Sequence, residues 1–317
     1  MSSKHLILAL AALLAATSLS AQRAPSMAAK QLKPNVYVVE GGGSNSGVVI
    51  GTSGVIVIDA KGSLEEGRAL VAEVARLTPK PITHVILTHG DADHVNGLAA
   101  FPAGVTVVAY ENAKVDMEAA IVAAGRGALS RDRLPSKVIV RTGETLTLQG
   151  VQFELRHWAP AHTSGDLVVV LSEARIAFTG DITASNTPDP VIRLDRRGSS
   201  EGWITTVKGM LGFRVQYVPG HGGTQTVTQV QSNLTAISEK RDWIVELVKE
   251  GKSLDAVKAA VGDPASPPAP ARAGRSSTAA VAAVAGKGRA PVPAAARGNP
   301  VPPTFTEAVY QELTKRL

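Results

Sequence analysis

The sequence predicts an α+β fold: two β-sheets packed together, with helices on their outer faces. Three observations predict it. Short runs rich in β-branched residues, bounded by glycine, recur along the chain. Amphipathic helical stretches alternate with them. Some neighbouring runs are joined by tight turns and others by helices, so antiparallel and parallel pairing must coexist.

"NVYVVE" (35–40) and "GVIVIDA" (54–60) read as strands, and "GGGSNSG" (41–47) as the turn between them. That turn lacks the spacing and the following helix of a phosphate-binding loop. Ser63 starts a helix, with Glu66 three residues on as a capping box and Leu70, Val74 and Leu77 as its apolar face. "ITHVILTH" (82–89) is a buried strand, "VTVVAY" (105–110) another, and Glu111 to Ala124 a helix. "ETLTL" and "VQFELRH" form a hairpin about Gln149-Gly150, and "DLVVVL" and "RIAFTGD" two more strands. Ser199 to Leu211 reads as a helix, with Trp203 in the core. "RVQYVPGHGG" (214–223) is a strand ending in a glycine-rich loop. From Thr226 to Glu250 runs a long amphipathic helix, with Val230, Leu234, Ile237, Ile244 and Leu247 on one side and Gly251 at its end.

Composition divides the chain into four parts. Lys4 and His5 precede an apolar run, Leu6 to Ala16, followed by small residues. Residues 1–21 therefore read as a cleavable signal peptide, and the protein as periplasmic or secreted, with no membrane attachment after cleavage. Residues 22–261 hold one domain. Residues 262–303 collapse to Ala, Pro, Gly and Arg and are expected to be disordered. Residues 304–317 regain helical periodicity through Phe305, Val309 and Leu313, and that helix is expected to dock on the domain. The 262–303 segment carries Arg272, Arg275, Lys287, Arg289 and Arg297 against Asp263, most of the chain's formal +6. The rest is nearly neutral, so the basic balance gives no support to a nucleic-acid partner. A small-molecule substrate is expected instead. The absence of cysteine excludes disulfides, a thiol nucleophile and thiolate metal ligands.

The residues that carry chemistry sit in loops at strand ends. "THGDADHVNG" (88–97) packs His89, Asp91, Asp93 and His94 into six residues. "APAHTSGD" presents His162, "AFTGDI" Asp181, and "YVPGHGG" His221. His84, inside a strand, reads as structural. A mixed His/Asp set suits divalent zinc, iron or manganese. Strand ends converge on one edge of a sheet, so loops far apart in sequence can meet there.

This order of motifs resembles the metallo-β-lactamase-fold hydrolase superfamily, over about Asn35 to Val261. Its pattern is an aspartate after an early strand (Asp59), an HxHxDH loop (His89 to His94), then His162, Asp181 and His221. The contexts "AHTSGDLVVVL" and "VPGHGG" resemble the glyoxalase-II-like branch. The resemblance implies a four-layer αββα sandwich with two divalent metals, zinc first, iron or manganese otherwise. It implies His89, Asp91 and His162 on one metal, Asp93, His94 and His221 on the other, and Asp181 between them, with Asp59 anchoring the motif loop. It further implies hydrolysis by a metal-bound hydroxide, Asp93 orienting the water, on an ester, thioester, lactone or amide-type substrate.

Asp91 departs from the pattern, which has histidine there. An extra carboxylate leaves the centre more neutral, which should acidify its water less and suit iron or manganese more. The flavodiiron branch carries Glu at this position and uses iron, so a diiron redox protein is an alternative, although no flavin domain is present. A metal-binding protein without turnover and a β-lactam hydrolase are two others; Asp181 argues against the last, because true β-lactamases of the superfamily lack it. For substrate contacts, Asn45 in the first turn is a candidate. So is Arg131, with Arg126 and Arg133, in the loop from Gly125 to Lys137.

Overall fold

The computed structural model describes residues 27–124, 129–263 and 302–315. The expected signal peptide, Arg126 and nearly all of the 262–303 segment lie outside them. No helix among the described residues is long and apolar enough to cross a membrane.

The first sheet has seven strands in chain order: β1 (Ala28–Lys33), β2 (Val36–Glu40), β3 (Ser46–Ile50), β4 (Val55–Ile58), β5 (Ile82–Ile86), β6 (Thr106–Tyr110) and β7 (Lys137–Ile139). Neighbours from β1 to β4 are antiparallel and those from β4 to β7 parallel. The second sheet comprises β8 (Glu144–Leu148), β9 (Val151–Arg156), β10 (Val168–Leu171), β11 (Ile176–Ala184) and β12 (Gln216–His221), in the spatial order β12-β11-β10-β9-β8. Only β11 and β12 are parallel there.

Parallel neighbours need crossovers, and helices supply them. Helix α1 (Leu64–Leu77) joins β4 to β5, and the short α2 (Ala92–Val95) lies between β5 and β6. Helix α3 (Glu111–Ala124) joins β6 to β7, and α4 (Ser200–Leu211) joins β11 to β12. Three more follow: α5 (Val227–Lys249), α6 (Leu254–Val261) and α7 (Phe305–Thr314).

Strand alternation makes the layers. In β4, Ile56 and Ile58 face the second sheet and join Phe153, Leu155, Val169 and Phe178, whereas Val55 and Val57 face α1 and α3 with Leu70, Val74 and Met117. Val168 and Val170 of β10 turn the other way, toward Trp203, Leu234, Ile237 and Ile244. Three apolar layers between two helical layers and two sheets make a four-layer αββα sandwich. Helix α7 belongs to it: Phe305, Ala308 and Val309 are buried in the same cluster as Trp203 and Val257.

Two local readings change. The turn at Gly41–Asn45 does not join "NVYVVE" to "GVIVIDA"; β3 intervenes, and β3 and β4 form their own hairpin. Gly47 masks β3 in the sequence, and it must be glycine because a Cβ there would lie 2.5 Å from the Phe178 ring. At α1, Ser63 Oγ accepts from Glu66 N, but the Glu66 carboxylate returns to Gly62 N rather than to Ser63.

Since Phe305 is 2% exposed and the α7 anchor, Phe305→Ala should lower the unfolding free energy by about 3 kcal/mol in a denaturant titration. An unchanged midpoint would mean that α7 does not dock.

Candidate metal centre

Four strands lead to one place. β4 ends beside Asp59, β5 runs on to Thr88 and His89, β11 carries Asp181 and β12 finishes on His221; His162 stands between β9 and β10. Close approach is possible because two neighbours of the site lack side chains. Gly180 has φ +51°, and a Cβ there would lie 2.4 Å from Thr88 Oγ1. A Cβ on Gly220 would lie 2.0 Å from Asp181 Oδ1.

The four histidines are oriented alike. Asp59 Oδ1 accepts from Thr88 N at 2.8 Å, and Asp59 Oδ2 from Thr88 Oγ1 at 2.7 Å. The hydroxyl is thereby left to accept from His89 Nδ1 at 3.0 Å. His94 Nδ1 lies 2.9 Å from Asp59 Oδ2, His162 Nδ1 2.8 Å from Val191 O, and His221 Nδ1 2.8 Å from Gly43 O. These partners accept only, so each neutral ring carries its proton on Nδ1 and turns a bare Nε2 inward. All four Nε2 atoms face Asp181, at 3.2 Å for His94, 3.3 Å for His221, 3.8 Å for His162 and 4.0 Å for His89.

Two donor sets result. Asp93, His94, Asp181 and His221 offer ligand atoms within 4.8 Å of one another, and so do His89, His162 and Asp181. Buried His89 Nε2, His94 Nε2 and Asp181 Oδ1 have no hydrogen-bond partner, an expensive arrangement that cations would satisfy. The residues fit a dinuclear site, with Asp181 common to both sets. Histidines 89, 94 and 162 are buried, whereas Asp93 is half-exposed, so the pocket opens on the Asp93–His221 side.

The electrostatics agree. Burial, helped by His94, lowers His89 to about 4, so its imidazole is neutral. Burial also opposes charge on His94, but Asp181 and Asp59 raise it well above its ordinary value. His162 rises to about 9: burial works against this, and Asp91 and Asp181 outweigh it. Hydrogen bonds to Asp181 and Asp93 raise His221 to about 10. Without cations, protons hold the positive charge that these carboxylates demand.

Several residues take other places than expected. Asn45 is tethered: its backbone N donates to Gly220 O, and Nδ2 to Pro219 O and Gly222 O at 2.9 and 2.8 Å. Both amide hydrogens tie the first turn to the His221 loop, which leaves none for a substrate. Arg133 bonds Phe101 O, and Arg131 is exposed on a short 3₁₀ turn. The arginines beside the site come from "RLDRR" instead. Arg193 Nη1 lies 2.6 Å from Asp91 Oδ2, and Arg196 Nε 3.2 Å from Asp91 Oδ1. Two guanidiniums thus stand against the extra carboxylate, charges that the expectation of a more neutral centre did not include. Nothing in local sequence announced this pairing, because it spans about a hundred residues.

Lys61 was also missed. Completely buried, its ammonium donates to the carbonyls of Val39, Gly41 and Ser44. The turn it gathers supplies Gly43 O to His221, and Ser44 Oγ donates to Asp93 O. Burial pulls the amine down to about 8, and three carbonyls need its three protons. A lysine two residues after Asp59, in "DAKG", was the only visible signal.

Residues 39–230 match the family model of the Metallo-beta-lactamase superfamily. The chain belongs to this superfamily. It is 30% identical over 207 residues to the 2,4-dinitroanisole O-demethylase subunit alpha of Nocardioides sp., covering 62% of this chain and 58% of that one. It is 28% identical to the hydroxyacylglutathione hydrolase GloC of Haemophilus influenzae, covering 49% of this chain and 76% of that one. A solved metallo-beta-lactamase from Pontibacter korlensis shares the fold, with a TM-score of 0.56 and 19% identity over 67% of this chain and 99% of its own. The chain therefore spans little more than half the length of the demethylase subunit.

Two outcomes are expected here. Metal ligands must be deprotonated, so at pH 7 cation loading should release up to three protons, from His94, His162 and His221, and none from His89. The buffer dependence of the binding heat measures this. His162 and His221 lie above their ordinary 6.5 in the folded chain, so without cations their stabilisation is complete below about pH 6.5. It is lost as pH rises through 9 to 10. The melting temperature of chelated protein should fall over that range more than that of loaded protein.

Lys61→Met should leave three carbonyls without their donor and lower stability by about 3 kcal/mol. It should also weaken cation binding at the His221 side. A variant as stable as the parent in chemical denaturation would remove Lys61 from this role.

Proposed function

We propose that this protein is an exported metal-dependent hydrolase acting on a small ester or thioester. The observation that carries the reading is the convergence of four imidazole Nε2 atoms on Asp181, each ring fixed from behind through Nδ1. His89, His162, Asp93, His94, Asp181 and His221 would hold two divalent cations, with zinc the first choice for this nitrogen-rich set. Bound there, the cations would polarise a substrate oxygen and lower the pKa of water toward neutrality.

The protein's own part is placement and proton handling. Asp59 and Thr88 fix the rings of His89 and His94, so these two donors are held in orientation before any cation binds. Asp93, half-exposed and 3.2 Å from His221 Nε2, stands where the pocket opens; its carboxylate can take up the proton that the attacking water gives up and pass it to the departing alcohol or thiol as the bond breaks. Thioesters are favoured by the similarity to a hydroxyacylglutathione hydrolase, and activated aryl ethers or esters by that to an O-demethylase subunit. The glyoxalase-II-like branch is the assignment we prefer. Export rests on the composition of residues 1–21.

A panel of thioesters, aryl esters, lactones, β-lactams and phosphodiesters tests the proposal. At least one thioester or ester should turn over, lose more than 90% (about tenfold or more) of its rate with a chelator, and recover with zinc. Turnover that survives complete cation removal would refute it.

A further inference from the structure

The segment from Val191 to Gly198 is built around the His162–Asp91 side of the pocket. Val191 O receives His162 Nδ1, and Arg193 N donates to His162 O at 2.8 Å. Arg193 grips Asp195 with Nε and Nη2 at 2.9 and 2.8 Å, which aims Nη1 at Asp91 Oδ2. Arg196 lies against the other Asp91 oxygen. Arg197 fastens the same segment to α3 through Asp116 and to the loop after His162 through Ser164. Asp91 is buried, and both arginine side chains are more than four-fifths buried. This is a fixed ion-pair network and not a pair of loose surface side chains.

We infer that Asp91 is held by Arg193 and Arg196 as a salt-bridged strut outside the ligand set, so that the two cation subsites are unequal. Asp93, His94, Asp181 and His221 form the tight one; His89 and His162 share Asp181 and form the weak one. Donor count and charge point the same way. The tight subsite has four protein donors and the weak one three. A cation at the weak subsite would also lie close to Arg193, whose charge, shared between Asp91 and Asp195, leaves Asp91 less negative charge to offer it. Asp91 offsets the guanidiniums instead of adding a negative ligand. A cation at the weak subsite would have fewer protein donors and room for substrate or solvent, and its occupancy would depend on cation supply.

The inference rests on reading the pocket as a dinuclear cation site, and one set of titrations separates the two. Cation-free full-length protein is titrated with zinc by calorimetry, and with cobalt(II) as an optical probe. Two steps are expected, separated by about tenfold or more in affinity, the scale on which ligand-shell changes act. Asp91→Asn should keep the weaker step and weaken it by no more than about tenfold, because a nearby charge is lost but no ligand. Arg193→Met should tighten the weaker step by about tenfold, because it frees the Asp91 oxygen. Two indistinguishable steps in the parent protein would overturn the inference, as would loss of the weaker step in Asp91→Asn. Should Asp91→Asn fail to fold, the Arg193→Met titration decides, and no tightening there counts against the strut. Unequal steps in a protein that hydrolyses nothing would remove the hydrolase reading alone. Equal steps in an active hydrolase would remove this inference alone.

Discussion

Asp181 is the carboxylate around which the site is arranged. Four imidazole nitrogens face it, from loops that are up to 132 residues apart, between His89 and His221. Burial alone would keep such a group neutral; the surrounding histidines hold it well below the ordinary carboxylate range. Its position depends on the parallel pairing of β11 with β12, whose register shifts around Gly180. That irregularity lets β11 pass the end of β5 with Thr88 in contact, and it sets the aspartate between the two donor sets.

Around this centre, the fold supplies partners that hold the candidate ligands from outside. Asp59 joins the end of β4 to the motif loop by three hydrogen bonds, to Thr88 N, Thr88 Oγ1 and His94 Nδ1. The backbone carbonyls of Val191 and Gly43 do the same for His162 and His221. Each carbonyl belongs to a segment that is itself anchored by buried cations, Arg193 in one case and Lys61 in the other. Fixing a ligand before the cation arrives reduces the ordering cost of binding.

Charge balance therefore extends beyond the ligands. Arg193, Arg196 and Lys61 lie close around a pocket rich in aspartate, and all three are at least mostly buried. A buried ammonium or guanidinium is tolerated only when its donors are used; Lys61 places its donors on three carbonyls and Arg193 on two carboxylates, and Arg196 pairs with Asp91. Adding a carboxylate at position 91 is compatible with the fold because the 191–198 segment brings positive charge to meet it.

The sequence by itself determined the secondary structure of most of the sandwich and the identity of the converging histidines. The sequence was enough for α3 at Glu111–Ala124, and periodicity for the long α5, whose caps fall where Thr226 and Glu250 indicated. These are short-range properties, encoded within a few turns of chain. Strand β3 was hidden by Gly47, whose lack of a side chain answers Phe178 in the other sheet and not its own neighbours. The same reason applies at the site. His89, His94, His162 and His221 stood out because histidines are chemically unusual residues in small-residue loops at strand ends. The tethering of Asn45, the clamp at Lys61 and the pairing of Asp91 with Arg193 did not, because each joins ordinary residues across long stretches of chain. Only packing decides which of them meet. A carboxylate's role follows from the charges that reach it in space, and the tertiary structure brought two guanidiniums to Asp91.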